Sequence, residues 1–85
     1  MKTFHYIIKD DLGIHARPAG LLVKEAGKYQ SEIKIKKGEK EADAKRIFSV
    51  MGLQCKCGDK IIITAEGTDE IEAVAALEAF FQANM

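Results

Sequence analysis

Net charge is what this chain lacks first: 13 Lys and Arg residues are balanced by 13 Asp and Glu across 85 residues. No global field therefore draws it onto nucleic acid or a membrane surface, and the local placement of charge is more informative than its sum. Cysteine is scarce. Cys55 and Cys57 are the only two, too few for a disulfide scaffold. No stretch approaches the roughly 18 consecutive apolar residues of a membrane span, and the first residues carry no signal-peptide apolar core. The expectation from these absences is a reduced, cytoplasmic protein that does not insert into a membrane. No repeat, linker or low-complexity segment divides the chain. The remainder is an ordinary globular mixture, 47% hydrophobic and 31% charged, sufficient for one domain over residues 1–85 with little margin.

Taken in order, Thr3 to Ile8 alternates, with Phe4, Tyr6 and Ile8 on one face and Thr3, His5 and Ile7 on the other, as in a strand with one better-buried side. Asp10-Asp11-Leu12-Gly13 reads as a loop. Ala16 to Ala26 has helical periodicity, burying Ala19, Leu22, Val23 and Ala26, and Gly27 suits a C-cap. Ser31 to Lys36 is a strand with Ile33 and Ile35 inward. Lys37-Gly38-Glu39 signals a hairpin, and Lys40 to Asp43 returns as a charged edge strand. Ala44 to Leu53 reads as a short helix with Ile47, Val50 and Met51 on one face. Ile61-Ile62-Ile63 marks Lys60 to Ala65 as a central strand. The last helix runs to about Ala83, with a capping box from Asp69 to Glu72 and an apolar stripe of Ile71, Val74, Leu77 and Phe81. Glu78, near the edge of that stripe, is expected to reach water. The order β-α-β-β-α-β-α predicts an α+β open-faced sandwich, one sheet face packed and the other in water.

The chemistry concentrates in Gly13-Ile14-His15-Ala16-Arg17-Pro18-Ala19-Gly20. An alternating strand feeds through a glycine turn into a helix start, which offers free backbone N–H groups and a partial positive charge to an anion. The only proline, Pro18, falls in the first turn, where its missing N–H removes no helical bond. The helix end and Arg17 both disfavour the imidazolium form of His15, and a neutral imidazole is what a nucleophile toward phosphorus requires. Once phosphorylated, His15 would hold its new negative charge against the helix start Ala16-Arg17-Pro18, where the backbone N–H groups of Ala16 and Arg17 and the Arg17 guanidinium face the phosphate oxygens. From spacing alone, a plain helix-capping histidine beside a surface arginine stands level with this reading.

The stretch Gly13 to Ala19 resembles the phosphohistidine signature of HPr proteins, the small phosphocarriers of the bacterial phosphoenolpyruvate:sugar phosphotransferase system. The resemblance extends over nearly the whole chain, through Val23-Lys24-Glu25-Ala26, the hairpin at Gly38, the helix from Lys45 to Leu53 and the turn Ala65-Glu66-Gly67. It implies a single HPr-like domain with a four-stranded antiparallel sheet covered on one face by three helices. It also implies that His15 takes phosphate on Nδ1 from enzyme I and passes it to IIA components of sugar permeases. Arg17 matches the family's active-site arginine and Pro18 its helix-start proline. Gly20, Ile47, Phe48 and Met51 match a partner-docking patch. Because Phe48 is adjacent to Ile47, the two cannot share one helix face, and at least one is expected to be exposed. The alternative is that all four fill the core.

Two positions depart from the pattern. Arg46 stands where Gram-positive members carry a regulatory serine, so kinase control there is expected to be absent, Ser49 being out of register. Leu12 replaces a residue that is often polar. The implied protein is a stoichiometric relay without cofactor or metal, acting as a monomer between partner proteins. Two other classes stay open: an HPr-like regulatory module that carries no phosphate, and a metal-binding protein using His5, Cys55 and Cys57. Cys55-Lys56-Cys57 otherwise reads as a loop with two reduced thiols.

Overall fold

The structure, a computed structural model, describes residues 1–14 and 16–85. Among the described residues the order is β1 (Lys2–Ile7), α1 (Ala16–Ala26), β2 (Glu32–Lys37), β3 (Lys40–Asp43), α2 (Ile47–Gly52), β4 (Lys60–Glu66) and α3 (Glu70–Asn84). The strands form one antiparallel sheet in the order β1-β4-β2-β3. The apolar run Ile61-Ile62-Ile63 thus lies in a strand paired on both edges, and the lysine- and glutamate-bearing Lys40–Asp43 forms an edge. Open-faced α+β architecture follows, as the alternation predicts.

Register decides which side chains reach the core. Phe4 pairs with Ile63 and Ile35 with Ile63, so the inward positions of three neighbouring strands form one apolar row. Ile33, Ile35, Ile61 and Ile63 are all completely buried, each contributing about 1.5–3 kcal/mol relative to exposure. The helices cover this face. From α3, Phe81 packs on the ring of Tyr6 at 5.4 Å between centroids, and the Tyr6 hydroxyl donates to the Phe81 carbonyl at 3.0 Å. At the β2–β3 hairpin, Gly38 has φ +59° and occupies the first of two central positions. Glycine is favoured there because a side chain would clash with its own backbone.

Several local expectations need correction. The helix expected over Ala44–Leu53 is confined to Ile47–Gly52. The Ala44 N–H is taken by the Ile33 carbonyl and the Lys45 N–H by the Asp43 carboxylate at 2.9 Å, which leaves Arg46 extended at φ −123°. In α3, Ile71 is 65% exposed, and Ala73, Leu77 and Phe81 make the buried stripe with Val74 and Phe80 beside it. Ile71 lies about 160° around the helix from Ala73, and the small Ala73 is what faces the packed side. The capping box from Asp69 is also not formed among the described residues. The Asp69 carboxylate turns away from its own helix to accept the Gln30 N–H at 2.8 Å, the Ser31 N–H at 2.9 Å and the Ser31 hydroxyl. Glu70 reaches back instead, its Oε1 accepting the Gly67 N–H at 3.2 Å. Gly27 follows α1 as expected, but the positive-φ glycines are Gly13, Gly38, Gly58 and Gly67, so a left-handed cap is not what ends that helix. Glu78 is exposed as expected.

Candidate functional site

The helix start that the sequence singles out is present: α1 begins at Ala16, with Arg17 exposed and Pro18 buried in its first turn. That turn, Ala16-Arg17-Pro18-Ala19, contains no acidic residue to offset the positive helix end. His15, the expected phosphoryl acceptor, lies outside the described residues.

The segment leading to it is heavily constrained. The Asp10 carboxylate accepts the Leu12 N–H at 2.8 Å, and the Asp10 carbonyl accepts the Gly13 N–H at 2.9 Å, closing a tight turn. Gly13 follows with φ +68°. Ile14 is sunk in the core, and its N–H donates to the Cys55 carbonyl at 3.0 Å. From the other side, the Met85 carbonyl oxygen accepts the N–H groups of Lys9 at 2.6 Å and Asp10 at 2.7 Å.

Beside the start of α1 opens a pocket of about 250 Å³ lined by Asp10, Arg17, Pro18, Leu21, Ala83 and Asn84. It places the Arg17 side chain between the loop before α1 and the far end of α3. Asp10, Leu21, Ala83 and Asn84 were not among the residues the sequence singles out. Leu21 carries a signal, since it falls off the Ala19-Leu22-Ala26 stripe and is exposed. Ala83 and Asn84 carry none, because only the docking of α3 brings them here.

The apolar residues of α2 divide as adjacency requires. Phe48 is 85% exposed and Met51 37% exposed, while Ile47 is half-buried and packs against the core. Gly20 of α1 lies against Ile47: a β-carbon at Gly20 would sit 3.7 Å from Ile47 Cδ1. The structure therefore joins Gly20 to Ile47 across the α1–α2 contact and leaves Phe48 and Met51 facing water. A wholly core role for the four residues is excluded by Phe48.

The two thiols do not share a setting. Cys55 is buried and Cys57 exposed, both free, and the Cys57 thiol faces the Lys9 carbonyl at 3.8 Å. Burial pushes the Cys55 thiol up from its ordinary value, with Lys37 opposing and Asp59 reinforcing. His5 is an exposed residue opposite Ile62 on the open sheet face, whereas Cys55 belongs to the core. The described residues accordingly contain no group of three His, Cys, Asp or Glu side chains placed to hold a metal ion. Among them, no helix is long and apolar enough to cross a membrane.

Fold and helix end together define a small open-faced α+β protein with an anion-suited helix start beside exposed apolar side chains. A family model described as the PTS HPr component phosphorylation site matches residues 2–83. The phosphocarrier protein HPr of Mycoplasma genitalium is 45% identical over 85 residues, 99% of this chain and 97% of that protein. The crystal structure of HPr-C-His from Thermoanaerobacter tengcongensis superposes with a TM-score of 0.93 at 40% identity, covering 98% of this chain and 93% of the other. Bacillus subtilis Crh, a catabolite-repression protein solved as a dimer with a swapped domain, superposes at 0.79 with 34% identity, over 94% of this chain and 92% of that one. The chain belongs to the HPr family of phosphotransferase-system phosphocarriers. Proteins of this family carry phosphate and are not classical enzymes.

Proposed function

We propose that the chain is a phosphoryl relay in which His15 is the nucleophile and carrier. The neutral Nδ1 lone pair attacks the phosphorus presented by phosphorylated enzyme I, the bond to the donor breaks as the new P–N bond forms, and a IIA protein later reverses the process. Helix α1 supplies backbone N–H groups at Ala16 and Arg17, and Arg17 supplies a permanent cation for the phosphate oxygens. Both partners dock in turn on the side carrying Gly20, Ile47, Phe48 and Met51. In this reading residues 1–85 act as one domain, as a cytoplasmic monomer without a cofactor. The observation that carries it is the start of α1 at Ala16, with Arg17 exposed and no acid in its first turn.

A regulatory module that binds a partner without relaying phosphate is the second reading, supported by the likeness to Crh. His15 and Arg17 in the sequence argue for the relay, and Arg46 removes serine phosphorylation as a switch at that position. Incubation with phosphoenolpyruvate and enzyme I, followed by intact mass, separates the two. One acid-labile phosphate, absent from His15→Ala, is expected. Absence of phosphate on the wild-type chain with a competent enzyme I overturns the relay.

A further inference from the structure

Polar contacts from both ends of the loop between α2 and β4 converge on Lys37, a residue outside the helix-start site. Lys37 ends β2 with its side chain largely covered. Its ammonium donates to the Gln54 carbonyl at 2.8 Å and the Leu53 carbonyl at 3.4 Å, and pairs with Asp59 Oδ2 at 3.0 Å. The same Asp59 oxygen accepts the Lys56 N–H at 2.8 Å. One cation thus ties both ends of the 53–59 segment together. Within it Gln54 has φ +53°, the one positive-φ residue other than glycine among the described residues. A left-handed conformation costs a side-chain-bearing residue about 1–2 kcal/mol, and persists where surrounding contacts over-determine it.

What this segment does is hold the approach to position 15. Its Cys55 carbonyl accepts the Ile14 N–H at 3.0 Å, and Gly13 lies against the Cys55–Lys56 backbone too closely for a β-carbon. On the other side the Gly58 N–H donates to the Ile8 carbonyl at 2.7 Å, and the Ile8 N–H to the Asp59 carbonyl at 3.0 Å. The strand leading into the site and the residue directly before His15 both lean on a loop that Lys37 clamps.

We propose that Lys37 is a positioning residue for phosphoryl transfer, acting through the Gln54–Asp59 loop to hold Gly13–Ile14 and hence the acceptor at the start of α1. It rests on the relay reading above. Lys37 is assigned to placement of the nucleophile and not to partner docking, since its hydrogen bonds and ion pair go to the Leu53 and Gln54 carbonyls and to Asp59 and not to the exposed side chains of Phe48 and Met51. Misplacement of a reacting group by about 1 Å can cost up to about a hundredfold in rate.

The test is the kinetics of phosphoryl acceptance from enzyme I by Lys37→Met, Lys37→Arg, Asp59→Asn and the neighbouring Lys36→Met, with amide hydrogen exchange read at Ile14. Expected for Lys37→Met is a fall in kcat of about tenfold with KM nearly unchanged, together with faster exchange of the Ile14 amide. Lys37→Arg, whose planar fork can reach adjacent carbonyls and a carboxylate, recovers most of the kcat, and Lys36→Met, which removes the same charge one residue away, leaves it unchanged, so loss of charge alone does not account for the defect. Wild-type kcat in a folded Lys37→Met overturns the proposal. Should Lys37→Met not fold, Asp59→Asn decides: a lowered kcat at constant KM supports it and an unchanged kcat overturns it. A wild-type chain that takes no phosphate overturns the relay itself and this role with it, an outcome distinct from a defect confined to the variants.

Discussion

Gly13 and Cys55 meet so closely that a β-carbon at residue 13 would overlap the Cys55 carbonyl oxygen and come within 2.7 Å of Lys56 Cα. Forty-two positions apart in the chain, the two close the loop that introduces α1. Substitution at Gly13 forces either this contact or its φ of +68° to give way. Gly13→Ala is expected to lower unfolding free energy by about 2–4 kcal/mol, combining left-handed strain with a backbone clash. Urea denaturation measures it, and a change below about 0.5 kcal/mol would show that the loop relaxes without cost.

Phe48 lets the proposed docking be measured apart from folding. At 85% exposure it contributes little to the core, so Phe48→Ala should change stability by less than about 0.5 kcal/mol. An exposed aromatic that anchors a partner loses about 2 kcal/mol of binding on truncation. Steady-state transfer from enzyme I is therefore expected to show KM raised at least about tenfold with kcat retained. A KM equal to that of the wild type would remove Phe48 from the docking surface.

The thiols should differ in reactivity. Cys57 is exposed and alkylates in the native protein, whereas Cys55 is buried with its thiol pushed up and alkylates only on unfolding. Mass spectrometry after iodoacetamide treatment, with and without denaturant, gives the order. Cys57→Ser should be nearly neutral, and Cys55→Ser should cost about 1–3 kcal/mol because a hydroxyl is desolvated there. Equal labelling of both thiols in native buffer would contradict this.

Asp69 links stability to acid. Its hydrogen bonds from the Ser31 side chain and the Gln30 backbone hold its carboxyl below the ordinary value of 3.8. A carboxyl depressed in the folded state adds stability that is complete above the unfolded value and lost as pH falls through the folded one. The loss therefore begins near pH 4 and continues below it. Asp69→Asn should lower the urea midpoint at pH 7 and flatten its decline between pH 5 and more acid conditions. A decline as steep as the wild type's would assign the acid sensitivity elsewhere, Asp59 and Glu70 being the other carboxyls held low.

Much of the architecture is legible in local periodicity. The α1 span, the Gly38 hairpin, the charged edge strand and the central isoleucine strand each follow from side-chain spacing or a turn residue, because burial of one face imposes its period on the sequence. The same local rules put Arg17 and Pro18 at a helix start, and adjacency alone required Ile47 and Phe48 to part.

Other features depend on residues far apart in the chain, which no local period encodes. Ile71 and Ala73 are both apolar, and only the docking of α3 on the sheet decides that the smaller one faces inward. Asp69 has the local spacing of a helix cap, yet Gln30 and Ser31 arrive with three donors and take its carboxylate. Cys55 and Cys57 read alike in sequence, and the fold buries one and exposes the other. The sequence by itself determined the open-faced α+β fold class and the motif from Gly13 to Ala19, since turn chemistry and helix-end electrostatics act over a few residues. Only the tertiary structure decided that the turn before α1 is held from behind by Cys55 and, through its loop, by Lys37, because such a brace exists only once distant backbone groups are packed together and must find hydrogen-bond partners there.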